Sequence, residues 1–155
     1  MLDIILILII LSLVSTISAA TAKKNWLKKA KVSDDPEKLL EVAKHYEEKK
    51  KFTEAFAWYE KAAEKEFPEA LYELAMCYDL PKGCGEDKVK AFQLCLKAAQ
   101  KGLGKAQFRM GNYYENGIGT KADEVQALFW YGEAAKQGNK MAEARTEKLK
   151  EKLSE

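Results

Sequence analysis

The sequence has one histidine, His45, among its 155 residues. A lone imidazole supplies neither a histidine-based metal cluster nor the oriented base that a nucleophilic serine needs. Its three cysteines, Cys77, Cys84 and Cys95, form no Cys-x-x-Cys and no Cys/His grouping, so the spacing of a zinc site is missing. An odd count also leaves at least one thiol without a partner. Charge of one sign is not in excess: 26 Lys and Arg face 24 Asp and Glu, for a net +2. The two signs are mixed along the chain, where a nucleic-acid binder shows a clustered basic stripe, so no nucleic-acid partner is expected. Phosphate-binding signatures are lacking too. Gly117-Ile118-Gly119 lacks the remaining glycine or lysine of a phosphate-binding motif, follows a helical pattern rather than a strand, and has Asp123 close by to repel an anion. Acidic pairs such as Glu47-Glu48 and Glu86-Asp87 lie among lysines and read as solvated helix faces and caps. No catalytic residue, metal or cofactor is expected, and the chain reads as a non-enzyme.

The N-terminus also lacks something. Residues 1–22 contain no lysine or arginine, only Asp3. Ile4 to Val14 is apolar apart from Ser12, and small residues follow, ending Ala20-Thr21-Ala22. A short apolar run before an Ala-x-Ala site has the shape of a secretory signal, although such a signal carries a basic start. The positive cluster lies downstream instead, at Lys23, Lys24, Lys28, Lys29 and Lys31. Were residues 1–22 retained as a membrane anchor, that cluster would hold the rest of the chain in the cytoplasm. The apolar run is short for a span of about 20 residues. Both readings stand: an exported protein, periplasmic or secreted, or a membrane-anchored one. Trp26 reads as part of a short cap over the structure that follows, or as an interfacial anchor beside a membrane.

What the chain does have is a repeat. Residues 104–139 overlay residues 68–103 when shifted by 36 positions. Ala106 falls on Ala70, Met110 on Leu74, Tyr114 on Tyr78, Asp123 on Asp87, Ala127 on Ala91, and Ala134-Ala135 on Ala98-Ala99. An earlier copy, residues 36–67, has a shorter central loop, with Tyr46, Ala55 and Ala62-Ala63 in register. A fixed period in the thirties marks a helical solenoid. Within the third copy, Ala106, Met110-Gly111, Tyr114, Gly117-Ile118-Gly119, Asp123, Ala127, Trp130-Tyr131, Ala134-Ala135 and Gly138 resemble Sel1-like repeats, relatives of the tetratricopeptide family. The likeness runs from Pro36 to Asn139. In the second copy Pro81 replaces the first loop glycine and Leu94-Cys95 replace the Trp-Tyr pair. The first copy has no glycine loop. The regular cysteine pair that some secreted members carry in every repeat is missing.

The resemblance implies an all-α fold, a right-handed α-solenoid of three antiparallel helix pairs plus a C-terminal capping helix. It also implies an adaptor that holds a protein or peptide; an enzyme of the cell envelope, a hydrolase, is the alternative. The organisation expected is residues 1–22 as signal or anchor, 23–35 as linker or short cap, repeats at 36–67, 68–103 and 104–139, and a capping helix over 140–155. Asp35, Asp87 and Asp123 are placed to cap helices, and Pro36 and Pro68 suit a first helical position. Gly102 and Gly138 are placed to end them. Glu54 to Glu66 reads as the second helix of the first pair and Lys140 to Leu153 as the last helix. His45 reads as partly exposed and Cys95 as a small buried hydrophobe.

In repeats of this family the first helix of each pair lines the concave side. Counting from the small residues Ala43, Ala75 and Gly111, the positions facing that groove are Leu40 and Lys44, Tyr72 and Met76, and Phe108 and Asn112. Asn112 can pair with a peptide backbone through both ends of its amide. Tyr72, Met76 and Phe108 offer apolar contact, unless Tyr72 and Phe108 only pack on neighbouring helices. Lys44 and Lys105 flank the patch and favour an acidic or carboxylate-ended ligand. Cys77 at a helix end and Cys84 in the next loop are candidates for a disulfide in an exported protein, if their Cα atoms come within about 7 Å.

The leading segment yields a direct test. Mass spectrometry of the protein from its native host should find a mature N-terminus at Lys23, or at Thr21 if cleavage follows Ala20. An intact Met1 in membrane-extracted protein would exclude export and favour the anchor.

Overall fold

Three aspartates start three helices. Asp35, Asp87 and Asp123 each have extended backbone, and each carboxylate accepts a hydrogen bond from the first turn: from the N–H of Glu37 at 3.1 Å, of Lys90 at 2.9 Å and of Gln126 at 2.9 Å. Each satisfies one of the N–H groups that a helix start leaves open. The computed structural model describes residues 15, 16, 18, 21, 22 and 25–154. Seven helices follow: α1 Pro36–Glu48, α2 Phe52–Ala63, α3 Pro68–Asp79, α4 Lys88–Gln100, α5 Gly104–Asn116, α6 Glu124–Lys136 and α7 Lys140–Ser154. A further helical stretch, residues 25–31, leads into α1, and no strand occurs among the described residues. The signal or anchor expected at residues 1–22 falls mostly outside the described residues. Among those described, no helix is long and apolar enough to cross a membrane.

Packing follows chain order. Each helix lies on the next, and α1 also reaches α3. Two boundaries differ from expectation. Helix α2 starts at Phe52 and stops at Ala63, with residues 64–66 as a turn. Helix α7 runs to Ser154, and Asn139 Oδ1 accepts from the Ala142 N–H at its start. His45 is buried rather than partly exposed, because residues 25–31 cover it and Trp26 meets its ring edge-on at 6.1 Å. Lys31 Nζ donates to the Tyr46 hydroxyl and ties the same stretch to α1.

The seams between pairs rest on one exchange of volume. Position 59 of α2 faces position 77 of α3, 95 of α4 faces 113 of α5, and 131 of α6 faces 149 of α7, each 18 residues apart. The first seam holds Tyr59 against Cys77 and the second Cys95 against Tyr113, so the tyrosine changes sides while the summed volume is kept. Volume-conserving exchanges are what a close-packed interior tolerates. The last seam closes with Tyr131 against Leu149. Tyr131 comes so close to α5 that a Cβ on Gly111 would stand 2.5 Å from its ring. Gly111 therefore does more than the alanines at 43 and 75: only a residue without a side chain fits there.

The loop glycines fasten repeats to one another. Gly83 and Gly119, 36 positions apart, have φ of 83° and 68°. A side chain on Gly83 would run into the Phe52 carbonyl oxygen, and one on Gly119 into that of Lys88. Each loop thus lies against the start of the second helix one repeat earlier.

Gly119→Ala should lower the melting temperature, since both its left-handed backbone and the Lys88 carbonyl oppose a side chain. Gly132→Ala, in helix α6 with open space at the added carbon, should raise stability by about 0.5–1 kcal/mol through helix propensity. Thermal unfolding of the two variants tests this; a Gly119→Ala melt equal to that of the wild type would show that the loop does not hold the seam.

Candidate functional site: the face of the first helices

The first helices present a repeated ionic motif at positions 47, 79 and 115, each directly after the tyrosine of the repeat. Glu47 Oε2 accepts from the Tyr59 hydroxyl at 2.6 Å, and Glu47 Oε1 accepts from Lys82 Nζ at 2.9 Å. Glu115 Oε2 likewise accepts from the Tyr131 hydroxyl at 2.7 Å, and Glu115 Oε1 from the Arg145 guanidinium at 3.2 Å. Each carboxylate thus joins its own second helix to the following repeat. The middle repeat has Cys95 where the others have tyrosine, so Asp79 is served differently. Lys88 Nζ lies 3.1 Å from Asp79 Oδ1, and the Arg109 guanidinium 3.9 Å from Oδ2. The buried Tyr113 hydroxyl faces this carboxylate without hydrogen-bond geometry. Arg109 and Arg145 are one period apart, as are Asp79 and Glu115; that spacing was legible in the sequence.

Burial pushes the Glu47 carboxyl up, yet the hydrogen bonds from Tyr59 and Lys82, with the charges of Lys82 and Lys44, outweigh it and hold the group below the usual carboxylate range. Burial first, then the carboxylate partner, raises the phenols of Tyr59 and Tyr131 far above their ordinary value. Burial also pushes the Cys77 and Cys95 thiols up to about 12, so both are un-ionised at neutral pH and poor nucleophiles.

The expected groove residues do not form one patch. Tyr72 and Met76 are half-buried on α3 and pack on the main core. Lys105 reaches across from α5, 2.8 Å from Glu73 and 4.4 Å from the centre of the Tyr72 ring. Its charge is therefore already met, which removes its reason to seek an acidic ligand. Arg109 donates to Met76 Sδ at 3.2 Å. Phe108 turns away to Tyr131, with ring centres 5.4 Å apart, and joins the smaller core that α7 closes. Asn112 stands close enough to the Tyr131 hydroxyl to oppose its rise. Lys44 lies apart from these, beside Glu47, Glu48, Tyr59 and Glu73 around a hollow of about 350 Å³. Glu47 and Glu73 are paired with Lys82 and Lys105, so that hollow is of mixed charge. Glu47, Glu73, Arg109 and Glu115 are the residues of this face that groove-facing positions alone did not identify.

The disulfide expected between Cys77 and Cys84 is not formed. Both are free thiols, as is Cys95. Cys77 faces the seam with Tyr59, while Cys84 Sγ donates to the carbonyl of Cys77 at 3.3 Å. Among the described residues, no three His, Cys, Asp or Glu side chains converge to hold a metal.

The Sel1 repeat profile matches residues 45–67, 68–103 and 104–139. The chain belongs to the Sel1 repeat family. The first matched Sel1 unit begins at His45, inside α1. Among solved structures, a Sel1 repeat protein from Oxalobacter formigenes is similar at 32% identity and a TM-score of 0.70, over 73% of this chain and 48% of that one. A protective antigen of uropathogenic Escherichia coli displaying an SLR fold is similar at 27% identity and a TM-score of 0.72, over 76% of this chain and 26% of its own. Cysteine rich protein B of Helicobacter pylori, at 21% identity, shares the fold with a TM-score of 0.59, over 79% of this chain and 90% of that one. The chain thus spans about half of the first of these relatives and about a quarter of the second. Comparison with curated protein sequences finds no match.

The Glu47 bridge sets an acid limit on this Sel1 unit. A carboxyl held low in the folded state stabilises it fully above the unfolded glutamate pKa of about 4.3, and that contribution is lost as pH falls through the folded value. Unfolding midpoints measured downward from about pH 6 should therefore drop, and Glu47→Gln should flatten the drop. Parallel profiles would place the acid sensitivity at another carboxylate.

Proposed function

We propose that this Sel1 repeat chain is an adaptor that binds a protein or peptide along the face of its first helices, exported or membrane-tethered through residues 1–22. Sel1 repeat proteins generally mediate protein–protein interaction and are often exported, and their scaffold is typically a non-enzymatic adaptor. One observation supports the reading of this face: Tyr72 and Met76 are half-buried on α3, the helix whose Glu73 lines the open hollow beside Lys44, and these helices are pinned by the cross-repeat bridges of Glu47 and Glu73. A rigid surface with apolar and charged groups side by side loses little order on binding. Tyr72, Met76 and Asn112 are the proposed contacts, with Lys44 and Lys105 at the flanks. Phe108 supports Asn112 from behind, through Tyr131. Lys44 and Glu73 at the hollow suit a ligand of mixed charge rather than a purely acidic one.

The full chain should recover a partner from host extract, and Tyr72→Ala with Met76→Ala should lose it while helicity by circular dichroism stays unchanged. Truncating a central interface residue typically costs about 2 kcal/mol or more. Phe108→Ala should instead lower the melting temperature, because its ring fills the α5–α6 contact. Retention of the partner by the Tyr72/Met76 variant would remove this face as the binding surface.

A further inference from the structure

A second hollow, of about 440 Å³, lies between α2 and α4 and is floored by α3. It shares no lining residue with the hollow beside Lys44. Its floor is Leu71 and Leu74, Leu94 forms one wall, and Glu60, Glu64, Glu66 and Lys97 stand at its rim.

The chain contains its own control for this feature. Leu94 occupies the position of Trp58 and Trp130 in the other repeats. One period later Trp130 is only 8% exposed and its indole is packed into the core. Gln107, the counterpart of Leu71, is closed over there as well: Gln137 Nε2 donates to Gln107 Oε1 at 2.8 Å and to the Gly102 carbonyl at 3.0 Å. In the first seam the counterpart of Gln137 is Lys101, which reaches Glu66 at 3.0 Å and leaves Leu71 uncovered by any hydrogen bond. Leucine is shorter than tryptophan, and a leucine at 71 offers no hydrogen bond to draw a neighbour across. The space is therefore open, apolar and large enough for a ligand group.

The rim departs from the repeat in the same place. Glu66 holds a left-handed backbone, φ 54°, where the other repeats have Gly102 and Gly138. Lys101 meets its carboxylate at 3.0 Å. Glu60 and Glu64 are exposed and form no salt bridge with any described residue. With Glu66 met by Lys101, the rim around the apolar floor carries two carboxylates without an ion pair among the described residues, Glu60 and Glu64, and the ammonium of Lys97.

We propose that the α2–α4 hollow docks a partner segment that inserts one bulky apolar side chain, flanked by lysine or arginine. The inserted group takes the volume that Leu94 leaves, and its basic neighbours meet Glu60 and Glu64. Charge complementarity of this kind selects the partner and its orientation. The inference does not depend on the face of the first helices.

Fluorescence anisotropy with the full chain and labelled short peptides tests it. A peptide with a central tryptophan between lysines should bind, and more weakly as salt is added. Its counterparts with glutamate flanks or a central alanine should bind at least about tenfold more weakly. Leu94→Trp restores the residue of the other repeats, should melt no lower than the wild type, and should abolish binding. Should that variant fail to fold, Glu60→Gln with Glu64→Gln at exposed positions should fold and bind about tenfold more weakly. Tyr72→Ala should leave this binding unchanged, which separates it from the first-helix face. Undiminished binding to a folded Leu94→Trp or to the double variant, equal binding of the glutamate-flanked peptide, loss of binding in Tyr72→Ala, or no binding at all would each overturn the proposal.

Discussion

One large side chain fills each seam between successive helix pairs, and the rest of the structure depends on it. A helix pair cannot bury its apolar face alone, so a solenoid is stable only as far as neighbours close on one another. Tyr59, Tyr113 and Tyr131 supply that closure, and each is almost completely buried. Cys77 and Cys95 are small because a tyrosine stands opposite them, and Gly111 has no side chain because Tyr131 lies where one would be. The alanines at the other contact points keep the helices close enough for one ring to fill the gap.

The polar ends of two of these rings organise the face of the first helices. A buried phenol seeks a hydrogen bond, and in the first and last repeats it finds the glutamate one residue after the repeated tyrosine, Tyr46 or Tyr114. That glutamate then draws a cation from the next repeat. Packing inside the seam and charge on the surface are thus one arrangement. Replacing tyrosine by cysteine at 95 breaks it, and Asp79 turns to Lys88 and Arg109 instead. The middle repeat departs from both neighbours at 94 and 95, and from the third at 71, where Leu71 stands against Gln107. The same departures leave an open apolar hollow between α2 and α4.

Local signals were readable because their reach is one turn of helix. The Asp caps, Pro36 and Pro68, and the stops at Gly102 and Gly138 act within three or four residues, so spacing alone reveals them. Helix α2 shows the limit: Phe52 enters the helix two residues before expectation, and the Gly83 loop, 31 positions away in the chain, lies on its start.

The sequence by itself determined the period, the number of helix pairs, the family and the burial of Cys95. These follow from repetition and from short-range backbone chemistry, which do not require knowing how helices cross. Only the tertiary structure decided that Phe108 faces Tyr131 rather than a groove, that Glu73 takes up Lys105, that residues 25–31 cover His45, and that Cys77 and Cys84, though neighbours, are free thiols. Each of those outcomes turns on which side chain meets which across a seam, and the distances that settle it are set by packing between helices rather than by any stretch of chain.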